Sequence, residues 1–186
     1  MDHQKLVKDC LRGKSQAQRE LYELFAQTML GVCYRYTKSV TDAEDILQDG
    51  FVKVFRHLHN YKNEGELGAW IRRIMVTTAL NYLKKNKRYR VDLLFDGNDA
   101  LHPIIDNDAE IKISSKELAE LIRQLPTGYQ TIFNLHAVEG YSHVEIGKML
   151  GISEGTSRSQ YSRARGLLIE WLNKNESTNK KEFYVR

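Results

Sequence analysis

The segment from Tyr141 to Arg165, Y-S-H-V-E-I-G-K-M-L-G-I-S-E-G-T-S-R-S-Q-Y-S-R-A-R, limits the possible folds more than any other. Ser142 and Glu145 have the S-x-x-E spacing of a capping box, in which hydroxyl and carboxylate satisfy free amides at a helix start. Ile146 and Leu150 are the apolar contacts of the short helix that follows. Gly151 ends it, because glycine enters the left-handed conformation of a tight turn at no steric cost. Ser153 is placed to cap a second helix. Two helices joined by a short turn containing glycine make a helix-turn-helix, whose second helix can enter the major groove.

That second helix has two faces. Ser157, Tyr161, Ala164, Leu168 and Trp171 recur at helical spacing and predict a core side. Ser159, Ser162 and Arg163 lie opposite, with Arg158 and Arg165 at the edges and Thr156 at the start. Small hydroxyls and arginines suit phosphates and base edges. The alternative is the solvated face of an ordinary helical hairpin.

The rest of the chain is helical in pattern too. It has 186 residues, two prolines and 41% apolar residues, enough for one domain or two small ones. The fold class predicted is all-α. Cys10 and Cys33 have no C-x-x-C partner, which fits two reduced thiols. No metal-ligand spacing, cofactor motif or catalytic constellation occurs, so no cofactor and no enzyme activity is expected. No apolar run approaches membrane-span length, so membrane insertion is not expected and a cytoplasmic protein is.

In chain order, a short helix over about 5–12 precedes one over about 16–38, capped by Ser15, with Ala17, Leu21, Leu24, Phe25, Val32 and Tyr36 on one stripe. Thr41 or Asp42 is expected to cap the third helix, whose apolar positions are Leu47, Phe51, Val54, Phe55 and Leu58. Its front is acidic: Asp42, Glu44, Asp45 and Asp49, with Gln48 among them. The helix dipole accounts for acids in the first turn but not for Asp49. An acidic face on a chain of net charge +4 can be a protein-binding surface or a solvated one.

The helix predicted over 67–88 is apolar on two sides, as expected at the centre of a domain. One narrow stripe remains: Trp70, Arg73, Thr77, Asn81, Lys84 and Arg88. An aromatic, polar groups and cations in line suit a single nucleic-acid strand, with bases stacking and phosphates pairing. Residues 71–90 hold seven bases and no acid, whereas 92–110 hold six acids and no base. The reversal predicts a flexible acidic linker. Domains are therefore expected at 1–90 and 113–173, with the linker at 91–112 and a polar, frayed tail at 174–186. In the second domain Ser114 or Ser115 caps a helix that Pro126 stops. His136 is expected at a core edge, and Gly140 ends the next helix.

Taken together these segments resemble a bacterial RNA polymerase sigma factor of the extracytoplasmic-function group, over about residues 16–172. Asp42-Ala-Glu-Asp-Ile-Leu-Gln-Asp-Gly-Phe-Val-Lys-Val-Phe55 resembles the family's core-polymerase-binding segment, A-E-D-L-x-Q-x-x-F. Trp70-Ile-Arg-Arg-Ile74 and Asn81-Tyr-Leu-Lys-Lys85 resemble the segment that melts and reads the minus-ten element. Leu125-Pro126, Glu145-Ile146, Gly155 to Ser159 and Ser162 to Arg165 resemble the minus-thirty-five domain. The resemblance implies that Asp45, Gln48 and Asp49 dock on core RNA polymerase, and that promoter DNA is held both as duplex and as melted strand. It implies that the acidic linker occupies a nucleic-acid channel on the polymerase. An anti-sigma partner is an expectation of the resemblance alone. Two positions depart from the family: Gly147 stands where alanine is usual, and Gly50 stands inside the docking helix, at a cost of about 1 kcal/mol against alanine. Two other readings of the residues are a dimeric helix-turn-helix repressor, which binds a palindrome unaided, and a helical adaptor that binds no DNA.

Overall fold

Each helix begins and ends where the local chemistry allows. The structure is a computed structural model. It describes residues 3–85 and 114–183, the side chains of 115–116 and 175–183 excepted. All regular elements among the described residues are helices, and the chain divides into two compact units, Met1–Asn86 and Lys87–Arg186. The acidic linker, Arg88 and the end of the tail beyond Phe183 lie outside the described residues.

The first unit contains α1 (His3–Leu11), α2 (Ser15–Tyr34), α3 (Val40–His57), a 3-10 turn (Leu58–Asn60) and α4 (Leu67–Lys85). Helices α2, α3 and α4 pack pairwise on one another, and α1 packs on α2. Their shared core includes Leu21, Met29, Val32, Ile46, Phe51, Val54, Ile71 and Met75. Burying such side chains stabilises by about 1.5–3 kcal/mol each. The two apolar sides expected of α4 are borne out: Ile71, Met75 and Thr78 are buried, and so are Val76, Ala79, Leu80 and Leu83. Cys10 and Cys33 are buried free thiols. Burial pushes the Cys33 thiol up to about 12, which makes it a core hydrophobe rather than a nucleophile.

Four local expectations are corrected. Helix α2 starts at Ser15 itself, after Lys14, whose side chain makes no cap bond. Leu24 is exposed at 42%, because Met29 and Cys33 fill the inner stripe instead. The cap of α3 is Ser39, whose hydroxyl accepts from the Asp42 amide at 3.1 Å, rather than Thr41 or Asp42. Gly50 is not a blemish in α3. A Cβ there would fall on the Met75 sulfur, so glycine lets α3 approach α4 closely.

The second unit contains α5 (Ser115–Gln124), α6 (Thr127–Phe133), a π-helical segment (Asn134–Val138), α7 (His143–Leu150) and α8 (Glu154–Phe183). Ser114, not Ser115, caps α5, through a capping box with Glu117. Pro126 separates α5 from α6 as expected. Leu121, Ile122, Leu125, Ala164 and Leu168 form an apolar cluster joining α5 to α8. Helix α8 runs past Leu172, where the apolar spacing stops, to Phe183. No glycine or proline interrupts residues 167–183, so nothing in the backbone chemistry stops it. The frayed tail expected from about residue 173 is therefore helical as far as Phe183.

Candidate nucleic-acid interface

The helix-turn-helix is built as its sequence predicts. The Ser142 amide donates to Glu145 Oε2 at 2.8 Å, and the Glu145 amide donates back to Ser142 Oγ at 3.3 Å. Gly151 adopts φ 73°, and its amide closes α7 onto the Gly147 carbonyl at 2.8 Å. The Thr156 amide donates to Ser153 Oγ at 2.9 Å, so Ser153 caps α8. On α8, Arg158, Ser159, Ser162 and Arg165 are exposed, while Thr156 and Arg163 are half-buried. Arg163 thus lies nearer the core side than the periodicity alone predicts. Arg158 is paired with Glu154 at 2.6 Å, which neutralises part of its charge on the free surface.

The buried side of α8 goes beyond the expectation in one respect. Ser157 is buried as expected, alongside Ala164 and Leu168, but Gln160 is buried too, and Gln130, Thr131, Asn134 and His143 are further buried polar residues of the same unit, with His143 Nδ1 2.9 Å from Ser157 Oγ. Apolar periodicity does not register such a layer. The sequence signal for it is a set of amides and hydroxyls at core spacing, Gln130 and Asn134 on one helix and Ser157 and Gln160 on another. His136 sits half-buried at the core edge, as expected, with Nδ1 2.8 Å from the Tyr141 carbonyl oxygen.

In the first unit the two candidate surfaces share α3 and α4. Asp45, Gln48 and Asp49 are exposed on α3. The corrected cap places only Asp42 in the first turn, so the dipole no longer accounts for Glu44 or Asp45. Asp42 is also tied to α4, since the Tyr82 hydroxyl donates to it at 2.7 Å. Asp42 is therefore a structural acid, and Asp45 and Asp49 are surface acids. Along α4, Arg73, Thr77, Asn81 and Lys84 are exposed and Trp70 is half-buried. Trp70 is not a core residue: its ring packs on Tyr61, centroids 5.6 Å apart. The Thr77 hydroxyl donates to the Arg73 carbonyl at 2.8 Å, which leaves its lone pairs to face outward.

Two clefts run between α3 and α4. One, of about 350 Å³, is lined by Lys53, His57, Trp70, Arg73, Ile74, Thr77 and Asn81. The other, of about 380 Å³, brings Asp45, Gln48 and Asp49 beside Lys53, Thr78, Asn81, Tyr82 and Lys85. Lys53, His57 and Tyr61 are absent from the stripe read along α4 because they lie on α3 and in the loop before α4. Lys53 Nζ donates to Thr78 Oγ1 at 3.1 Å and so joins the two helices. The sequence signal available was the run of bases and aromatics, Lys53, Arg56, His57, His59 and Tyr61, at the end of α3 and just after it.

Comparison with known proteins assigns both units. The profile of Sigma-70 region 2 matches residues 21–89, and that of Sigma-70, region 4, matches residues 115–168. The chain belongs to the extracytoplasmic-function group of sigma-70 factors. Among curated sigma factors it is 32% identical to SigE of Mycolicibacterium smegmatis, over 85% of this chain and 62% of that one. It is 25% identical to SigW of Bacillus subtilis, over 90% of this chain and 95% of that one. Its fold resembles the sigma factor RpoE of Bartonella quintana, solved with the anti-sigma factor NepR, at TM-score 0.51 and 22% identity, over 84% of this chain and 96% of that one. The sigma-factor assignment makes α3 and α4 parts of region 2 and the helix-turn-helix part of region 4. No helix among the described residues is long and apolar enough to cross a membrane.

Proposed function

We propose that this sigma factor docks on core RNA polymerase through Asp45, Gln48 and Asp49. Melted minus-ten DNA then lies along Trp70, Arg73, Thr77, Asn81, Lys84 and Arg88. The minus-thirty-five duplex is read by Thr156, Arg158, Ser159, Ser162, Arg163 and Arg165. On this reading residues 1–90 form the first domain, 91–112 the linker and 113–173 the second domain, with 174–186 as a tail. The observation that carries it is the outward display of acids on α3 and cations on α4, one helix apart, in a chain matching region 2. Docking of acids on one side leaves the neighbouring cations to the nucleic acid. Lys53, His57 and Tyr61 extend the strand surface beyond α4. On this reading an anti-sigma factor regulates the protein, as one is bound in the RpoE complex.

The test is co-elution with core RNA polymerase. The native chain forms a complex, and Asp45→Lys with Asp49→Lys abolishes it while helical content by circular dichroism stays the same. Both positions are exposed, so no core contact is lost. Continued co-elution of the double variant would make the acidic face a solvated surface and nothing more.

A further inference from the structure

The helix-turn-helix unit holds a pair of stacked imidazoles at the edge of its core. His136, on the π-helical segment, and His143, at the start of α7, stack with centroids 4.1 Å apart and planes 24° from parallel. Tyr161 of α8 closes the cluster, edge-on to His136 at 4.6 Å and tilted against His143 at 5.6 Å. His143 is buried, and its Nδ1 lies 2.9 Å from Ser157 Oγ, which is fully buried on the inner face of α8. The pair therefore joins three consecutive elements, and one of them is the helix that presents Ser159, Ser162 and Arg165 to DNA.

We propose that the stacked His136–His143 pair is a proton-sensitive latch that seats the recognition helix and releases it on acidification. This rests on the sigma-factor reading for its effect on promoters, but not for its effect on the unit itself. The chemistry is specific. A carbonyl oxygen only accepts, so His136 carries its proton on Nδ1 toward Tyr141 and keeps Nε2 as its basic nitrogen. A hydroxyl both donates and accepts, so the His143–Ser157 bond survives protonation of His143. What protonation brings is a charge on His143, a buried ring pressed against its neighbour, and burial disfavours that charge while the stack holds. Protonation of His143 drives the rings apart. His143 then leaves Ser157 with a buried unpaired hydroxyl or pulls α8 out of place.

The surrounding charges do not relieve this. On α8, Arg158 opposes a proton on His143 and Glu154 favours one, but these two are paired with each other. Glu145 is occupied in the capping box, and Glu139 has an interaction of its own. Burial first, then His136, then Arg158 hold His143 below the ordinary value of 6.5. The sign follows. Above 6.5 neither folded nor unfolded chain binds the proton, and the unit has its full stability. Below 6.5 the unfolded chain binds it and the folded one resists, so stability falls with pH. Each extra proton taken up on opening raises the opening equilibrium by up to about tenfold per pH unit.

The experiment is urea unfolding of the full chain at pH 7.5 and 5.5, followed by amide NMR signals of each unit separately. The expected result is a clear drop in the second unit's midpoint at pH 5.5. His143→Asn, whose amide overlays Nδ1 without titrating, should remove that drop, and His136→Asn should reduce it. In the native chain the His143 imidazole signal should titrate below the ordinary value of 6.5. Equal midpoints at the two pH values, a drop unchanged in a folded His143→Asn variant, or titration of His143 at or above 6.5 would each overturn the latch. The promoter effect is read separately, with polymerase complexes and a duplex selected from a random pool at pH 7.5. Retention of that duplex should fall at pH 5.5 for the native chain and not for a folded His143→Asn variant. If no polymerase complex forms, the sigma-factor role fails, and the unfolding data still decide the latch.

Discussion

A methyl group at position 147 has no room. The Gly147 carbonyl accepts from both the Gly151 amide at 2.8 Å and the Ile152 amide at 3.0 Å, where the turn folds back on α7. A Cβ on residue 147 would stand 2.8 Å from the Ile152 carbonyl oxygen, a backbone atom that cannot rotate away. Alanine is the better helix former by about 1 kcal/mol, but overpacking typically costs about 1–3 kcal/mol. Gly147→Ala should therefore destabilise the second unit by about 1 kcal/mol, read as a lower urea midpoint. A raised midpoint would mean that the turn relaxes freely. The sequence alone suggests the opposite sign, because propensity is local and the obstructing oxygen belongs to the turn. The same limit applies to Gly50. It looks like a weak point in α3 until Met75 of α4 is seen against it.

At the scale of elements, caps and turns that are local in chemistry were legible from residues: the Ser142–Glu145 box, Gly151 and Ser153 all stand as expected. The cap of α3 was not, because Ser39, Thr41 and Asp42 are all good capping residues and only packing chooses among them. The π-helical turn at Asn134–Val138 was also missed, since its apolar spacing matches an ordinary helix. On α8 the outward serines and Arg165 were legible, but the half-burial of Arg163 depends on how the helix is rolled against its core. That roll gives Arg163 a testable role. If it reaches a base edge bidentately, Arg163→Ala should cost about 1–3 kcal/mol at the selected duplex and relax specificity at one position. Binding isotherms on the selected and on shuffled duplexes separate this from a phosphate contact, which would weaken both alike. Unchanged affinity on both would remove Arg163 from the interface.

At the scale of the whole molecule, the proposed function gives one chain two kinds of DNA surface. The exposed serines and arginines of α8 suit a groove of intact duplex. The α4 surface suits a separated strand, with Trp70 beside Tyr61 as a stacking platform and Arg73 and Lys84 as phosphate partners. A repressor needs only the first. A protein that opens promoters needs both, because unpaired bases must gain elsewhere what they lose in stacking, and an aromatic returns about 1–3 kcal/mol per base. Trp70→Ala is a poor probe, since Tyr61 would lose its packing partner and the loop before α4 would shift. Asn81 and Lys84 are exposed, so their removal leaves the helical core unchanged. Asn81→Ala with Lys84→Ala should then leave polymerase binding intact and impair strand opening. Permanganate footprinting reads this as weaker thymine reactivity at the minus-ten element, and a promoter with a pre-melted bubble should partly restore transcription. Normal thymine exposure in the double variant would show that the α4 cations do not hold the opened strand.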